Sequence, residues 1–339
     1  MIDKINFFPE NLDVHNQKII LRLDLNVPLK DKAIQDDTRI ALCLPFIEKL
    51  IEKKAKIIII SHLGRPEGTK VPELSLMPVY KYLKKSLSTS VFFFMGNLDD
   101  DVQNKFSHLK EGEIILLENI RFFKEESVND ENFSKKLGSL GDIYINDAFS
   151  CSHRKQASIH NITKYVKKSF AGPLLKKEVQ AINLVVQNKK EPVTCIIGGS
   201  KISTKINVII SLIEKVNNLI IVGAMANNFL IYKNLKIGKS LIEKNTEETI
   251  KKIYEKANEN KCKIFVPEDC MVGSSFDSSG ISKDLNTIED NDIILDIGPK
   301  TIKSIKHTIN QSNTVLWNGP AGYFENENFM SGTMSIAET

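Results

Sequence analysis

Residues 18–28 read KIILRLDLNVP. Leu21, Leu23, Leu25 and Val27 alternate with Arg22, Asp24 and Asn26, the two-residue period of a β-strand with one apolar and one polar face. The spacing predicts a strand over 18–25. Its polar face either meets plain water or ends in a site, and the surrounding segments must decide which.

Outward from this strand, short apolar runs alternate with helical patterns. Strands are expected at 56–60 (KIIII), 91–94 (VFFF), 113–117 and 142–147. Between the first two lies TRIALCLPFIEKLIEKKA, with apolar spacing near 3.6, Thr38 placed to cap it and Pro45 placed to bend or shorten it. After a Gly-Pro break, AGPLLKKEVQAINLVVQN (171–188) predicts a long helix. Then strands are expected at 193–197, 218–222, 263–266, 293–296 and 313–317, with a helix near 202–215. Alternation of this kind implies βαβ units: an α/β protein with doubly wound, mainly parallel sheets. Two domains are expected, 1–170 and 189–339, joined by a hinge helix at 171–188. SGTMSIAET at the end looks like the opening of a crossover helix, so the second domain is expected to be incomplete at its C-terminus.

Composition narrows the function classes. With 339 residues, 42% hydrophobic and 26% charged, the chain is long enough for two cores and has the balance of a globular protein. A net charge of +4 suits a small anionic substrate and falls short of the basic stripe of a nucleic-acid binder. The five cysteines form no CxxC pair, which argues against a zinc site or a disulfide framework. No leader or membrane span is apparent, so a cytoplasmic protein is expected.

Walker A, GxGxxG, HExxH and GxSxG patterns are all absent, and the six histidines do not pair at metal-ligand spacing. Instead, cationic residues stand just beyond strand ends. Asn26 and then Arg39 follow the first strand, His62 and Arg65 the second, Arg121 the fourth, and His153 with Arg154 the fifth. In a parallel sheet these ends share one edge, where ligands bind. An isolated surface arginine would pair with an acid and contribute little. Four loops sharing the pattern point to an anion-binding basket, since the guanidinium fork matches carboxylate and phosphate oxygens. In the second half, GGSKISTKI (198–206) brings two glycines to a helix start, with Lys201 and Lys205 expected on one face of its first turn beside an anion.

The ordered segments RLDLNVP, DDTRI, SHLGRP, ENIRF, NDAFSCSHR, GGSKISTKI, DIGPKT and WNGPAGYFE together resemble the phosphoglycerate kinase family along the whole chain. The resemblance implies two Rossmann-like domains that close about a hinge, a glycolytic kinase activity, and monomers. It implies 3-phosphoglycerate or 1,3-bisphosphoglycerate in the first domain, held by Asp24, Leu25, Asn26, Arg39, His62, Leu63, Gly64, Arg65, Arg121 and Arg154. ADP or ATP, carrying magnesium, would meet Lys201, Lys205, Gly298, Asn318 and Glu325 in the second. Arg39 and Lys205 would be catalytic, and no metal would be held by the protein itself. Two departures stand out: Ser150 replaces the usual glycine, and a Gly-Gly-Gly-Asp-Ser/Thr phosphate loop is missing. A shortened chain is therefore expected to bind phosphoglycerate, hold nucleotide weakly and show little kinase activity. The alternative is a non-catalytic phosphoglycerate-binding protein.

Overall fold

The computed structural model describes residues 4–98, 104, 106–186 and 189–339. The chain divides into two compact units, Met1–Ala181 and Ile182–Thr339, each with its own sheets and cores.

In the first unit, β1 (Lys18–Arg22) is followed by a small antiparallel hairpin, β2 (Leu29–Lys30) and β3 (Ala33–Ile34). Next come β4 (Lys56–Ile60), β5 (Val91–Phe94), β6 (Ile114–Leu117), β7 (Ile143–Asn146) and β8 (Lys168–Ala171). Six of these make one parallel sheet in the order β5-β6-β4-β1-β7-β8. β1 sits between β4 and β7, and both of its faces are dry. Ile19, Leu21 and Leu23 enter one core with Ile57 and Ile59, while Ile20 enters another with Ile58, Ile60 and Tyr144. The polar-looking face of KIILRLDL is thus buried, and Arg22 is fully enclosed. The strand ends at Arg22, three residues earlier than its alternation predicts, so Asp24 and Asn26 lie in the loop beyond it.

The helix Thr38–Glu52 runs through Pro45 without a break. Thr38 does not cap it: Asp37 holds the cap position, with no side-chain cap bond, and Thr38 is itself bonded to Asp36. The helix Pro173–Val186 fills most of the expected 171–188 segment, and residues 187–188 lie outside the described residues.

The second unit has a parallel sheet of β9 (Val193–Ile197), β10 (Asn218–Ile221), β11 (Lys263–Phe265) and β15 (Thr314–Asn318), ordered β11-β10-β9-β15. The remaining strands, β12 (Asp269–Gly273), β13 (Ile281–Asp284) and β14 (Ile293–Ile297), form a separate antiparallel sheet. SGTMSIAET does form a helix, Ser331–Ala337. The five cysteines are buried free thiols.

Three buried aspartates cap helices that start far away in sequence. Asp147 accepts the amide of Leu175 at 2.8 Å, and Asp296 that of Gly332 at 2.7 Å. Asp269 takes the amides of Lys300 and Thr301 at the start of the helix Pro299–Asn310. Negative charge is favourable at a helix N-terminus, but burial outweighs it for two of them: Asp147 and Asp296 are both pushed up to about 6. The closeness of carboxyl and backbone explains a glycine at each place. A Cβ on Gly298 would lie 2.3 Å from the Asp269 carboxyl carbon, and one on Gly172 2.4 Å from that of Asp147.

Gly298→Ala is therefore expected to lower stability by about 1–3 kcal/mol through overpacking. Urea unfolding checks this, and an unchanged midpoint would mean that Asp269 can yield without loss.

Candidate active site

The C-terminal edge of the six-stranded sheet collects the residues expected there. Asn26, Arg39, His62, Gly64, Arg65, Arg121 and Arg154 line one cavity of about 230 Å³, together with Ser150 and Cys151. Each is delivered by a locally determined loop. Gly64 takes a left-handed φ of +61° and its amide is held by Asn26 Oδ1 at 2.8 Å. Buried Asn119 accepts the Arg121 amide and donates to the carbonyls of Leu63 and Leu74, tying two strand-end loops together. Arg121 in turn donates to the Gly64 carbonyl at 2.7 Å. Arg39 pairs with Asp24 from the first turn of its helix. His153 is exposed and lies outside this cavity lining.

The basket is rich in unbalanced charge. Of its four arginines, only Arg39 has a carboxylate ion pair among the described residues. The Arg154 Nε is buried without a hydrogen-bond partner, which leaves a donor for a ligand oxygen to satisfy. Burial and then the charges of Arg22, Arg121, Arg154 and Arg39 drive His62 down to about 2. It is therefore a neutral ring. Its Nδ1 faces the Arg22 guanidinium at 3.1 Å; arginine can only donate, so Nδ1 accepts and Nε2 carries the proton. The site is a rigid set of cationic and neutral donors that an anion would relieve of mutual repulsion.

Three residues expected at this site do not line the cavity, and one of them, Asp24, is joined to it through Arg39 and Ser150. Leu25 and Leu63 are buried in the core beneath, because each lies between rim residues and points the opposite way. Sequence reading noted Ser150 as a departure near the arginines, and missed Cys151 as a lining residue and the bond from Arg22 to His62. Both depend on contacts between loops far apart in the chain.

The second unit contains a larger cavity of about 570 Å³. Its walls include Leu230, Leu241, Phe276, Leu295 and Tyr323, with Glu325 among the lining residues. A mostly apolar wall with a few polar groups suits a flat heterocycle. Beside it the ends of β9, β10 and β15 touch backbone to backbone. A Cβ on Gly198 would meet the Pro320 carbonyl at 2.0 Å, so this glycine serves loop packing. Gly199, at φ +129°, lines the cavity.

Of the expected nucleotide residues, only Glu325 lines this cavity. Gly298 is the cap position of the helix Pro299–Asn310, packed against the Asp269 carboxyl, and follows Asp296 and Ile297, which line the cavity. Lys201 and Lys205 do not share a helical turn, because the helix begins at Ile206 and Lys205 is its cap residue. Lys201 is exposed in the preceding turn and lines no cavity described above. The Lys205 ammonium donates to the Gly198 carbonyl at 2.6 Å and to Asn318 Oδ1 at 2.7 Å, with no carboxylate partner among the described residues. Burial lowers its pKa. Asn318 thus acts as its anchor. Phe276 and Leu241 gave no sequence signal, being ordinary apolar residues in unrelated segments, whereas Tyr323 lies within WNGPAGYFE beside Glu325. Among the described residues no group of three His, Cys, Asp or Glu side chains gathers as a metal site.

The family model for phosphoglycerate kinase matches residues 10–339. The chain belongs to the phosphoglycerate kinase family. It is accordingly a kinase of glycolysis, a phosphotransferase that uses ATP. The chain is 49% identical to the phosphoglycerate kinase of Wolbachia pipientis wMel over 328 residues, 96% of this chain and 82% of that protein. The structure of phosphoglycerate kinase from Coxiella burnetii matches at 39% identity and a TM-score of 0.81, covering 97% of this chain and 83% of the other. That from Pyrococcus horikoshii OT3 matches at 28% and 0.82, covering 98% and 85%. The family assignment gives no support to the alternative of a non-catalytic binding protein, nor to the expected loss of activity. No helix among the described residues is long and apolar enough to cross a membrane.

The depressed His62 gives a pH signature. Unfolded, it titrates near its ordinary 6.5; folded, only near about 2. Its contribution to stability is therefore present above pH 6.5 and lost as pH falls, by about 1.4 kcal/mol per unit. His62→Gln keeps an acceptor for Arg22 and cannot titrate. Between pH 6 and 4 the wild type should lose stability more steeply than H62Q in urea titrations, and equal slopes would refute the assignment.

Proposed function

We propose that this chain transfers a phosphoryl group reversibly between 1,3-bisphosphoglycerate and ADP, giving 3-phosphoglycerate and ATP. The observation that carries this reading is the basket of neutral His62 with four arginines, three of them without a carboxylate partner among the described residues. Arg65, Arg121 and Arg154 hold the phosphate and carboxylate of the three-carbon acid, Asp24 and Asn26 its hydroxyl and carboxyl end. His62 donates from Nε2. In the second unit the apolar cavity takes the base, Glu325 the ribose, and Lys205, anchored by Asn318, the nucleotide phosphates. Magnesium enters with the nucleotide as part of the substrate. The first unit is the phosphoglycerate-binding domain and the second the nucleotide-binding domain, and the protein acts as a cytoplasmic monomer.

The acyl phosphate is already activated, so no general base is required in the direction that makes ATP. Catalysis is alignment, exclusion of water, and cations placed where charge builds on the equatorial oxygens. Arg39 and Lys205 supply those cations. A coupled assay with ATP and 3-phosphoglycerate should show turnover for the 339-residue chain. Arg39→Ala should lower kcat by roughly 100-fold or more with a much smaller rise in KM, and an unaltered kcat would remove Arg39 from this role. Glu325→Ala should raise the KM for ADP about tenfold through a lost hydrogen bond to ribose, leaving that for phosphoglycerate unchanged; an equal change in both would place Glu325 elsewhere.

A further inference from the structure

Asp24 is held from three sides. Its Oδ1 accepts the Asn26 amide at 3.2 Å, while its Oδ2 accepts both from the Arg39 guanidinium and from the Ser150 hydroxyl. Ser150 lies 126 residues further along, in the short 3-10 turn Phe149–Cys151 beyond β7, and is itself part of the basket lining. It therefore ties the loops that follow two neighbouring strands, β1 and β7, through a single carboxylate oxygen.

We propose that Ser150 is a positioning residue that, through Asp24, sets how much of the Arg39 charge is available to a bound anion. The inference rests on the phosphoglycerate reading above. Two donors on one oxygen compete, so the hydroxyl weakens the hold of Asp24 on Arg39. Arg39 has no other ion-pair or hydrogen-bond acceptor for its side chain among the described residues, and its side chain is 49% exposed. To meet an anion it must share or leave Asp24. Without the hydroxyl, Oδ2 has Arg39 as its only donor among the described residues. The carboxylate also loses one of its fixed points, so the cation is held back from the cavity.

Calorimetric titration of the full chain with 3-phosphoglycerate, and in parallel with inorganic phosphate, tests this. Ser150→Ala should weaken binding of both by about tenfold, the scale of one hydrogen bond to a charged group. Ser150→Thr, which keeps the hydroxyl, should stay within about twofold on the same basis. On an Asp24→Asn background, where no anionic oxygen competes for Arg39, Ser150→Ala should have less than about a twofold effect. An equal loss on both backgrounds would show that Ser150 acts by its own contact or by holding the fold, and so would overturn the proposal. No loss in the single variant would overturn it as well. Thermal unfolding of each variant separates misfolding from lost binding, and loss of the fold in Ser150→Ala together with weak binding by Ser150→Thr would also count against it. A wild type that binds phosphate but not 3-phosphoglycerate removes the functional reading, and the same cycle then decides the role of Ser150 with phosphate. Binding of neither anion overturns both.

Discussion

A positive charge sealed in the middle of a sheet is the constraint on which the first unit depends. Arg22 has no exposed surface, and no carboxylate among the described residues touches it directly. Burying a charge is tolerable only when hydrogen bonds replace the lost water. Its Nε donates to Ser158, one amino group to the Leu23 carbonyl and the other to His62. Ser158 passes the connection to Glu126, a carboxyl buried away from water whose pKa is raised by burial while Arg22 pulls it back down. This chain spans the sheet core, the helical turn Lys124–Ser127 and the rim. The ring orientation and tautomer at the rim thus follow from a bond made in the interior, and the site cannot be redrawn without disturbing the core.

The two sites solve different problems. In the first unit, charge does the selecting: a small cavity, several guanidinium groups and few counter-ions. In the second, shape does it, because the cavity is larger and mostly walled by apolar side chains. Lys205 is the exception there, a cation held by a carbonyl and an amide oxygen that satisfy its protons without neutralising its charge. Such a cation stays available to an anionic partner.

What sequence reading recovered and missed follows from the range of the interactions involved. KIIII was legible as a strand because an unbroken apolar run fits a strand covered on both faces. KIILRLDL misled on its polar face because Arg22 breaks a register that Ile20 and its neighbours otherwise fill with apolar side chains. β12 and β13 were missed, since DCMVG and ISKD carry no clean period and owe their strand form to pairing with each other and with β14. The basic rim was legible because strand ends in a parallel sheet converge by topology alone. The packing of Gly298 against Asp269 was not legible, because that aspartate is remote in sequence and no local pattern announces it.

The remote aspartate caps also bear on the order in which structure can form. The bonds from Asp147, Asp269 and Asp296 to their helix starts span 28, 32 and 36 residues. Each aspartate precedes its helix in the chain, so the cap forms when the helix start packs against the segment that already carries its acceptor. The first turn at these three points thus depends on tertiary contact, and fraying of a helix end there is coupled to loosening of the segment that carries its aspartate.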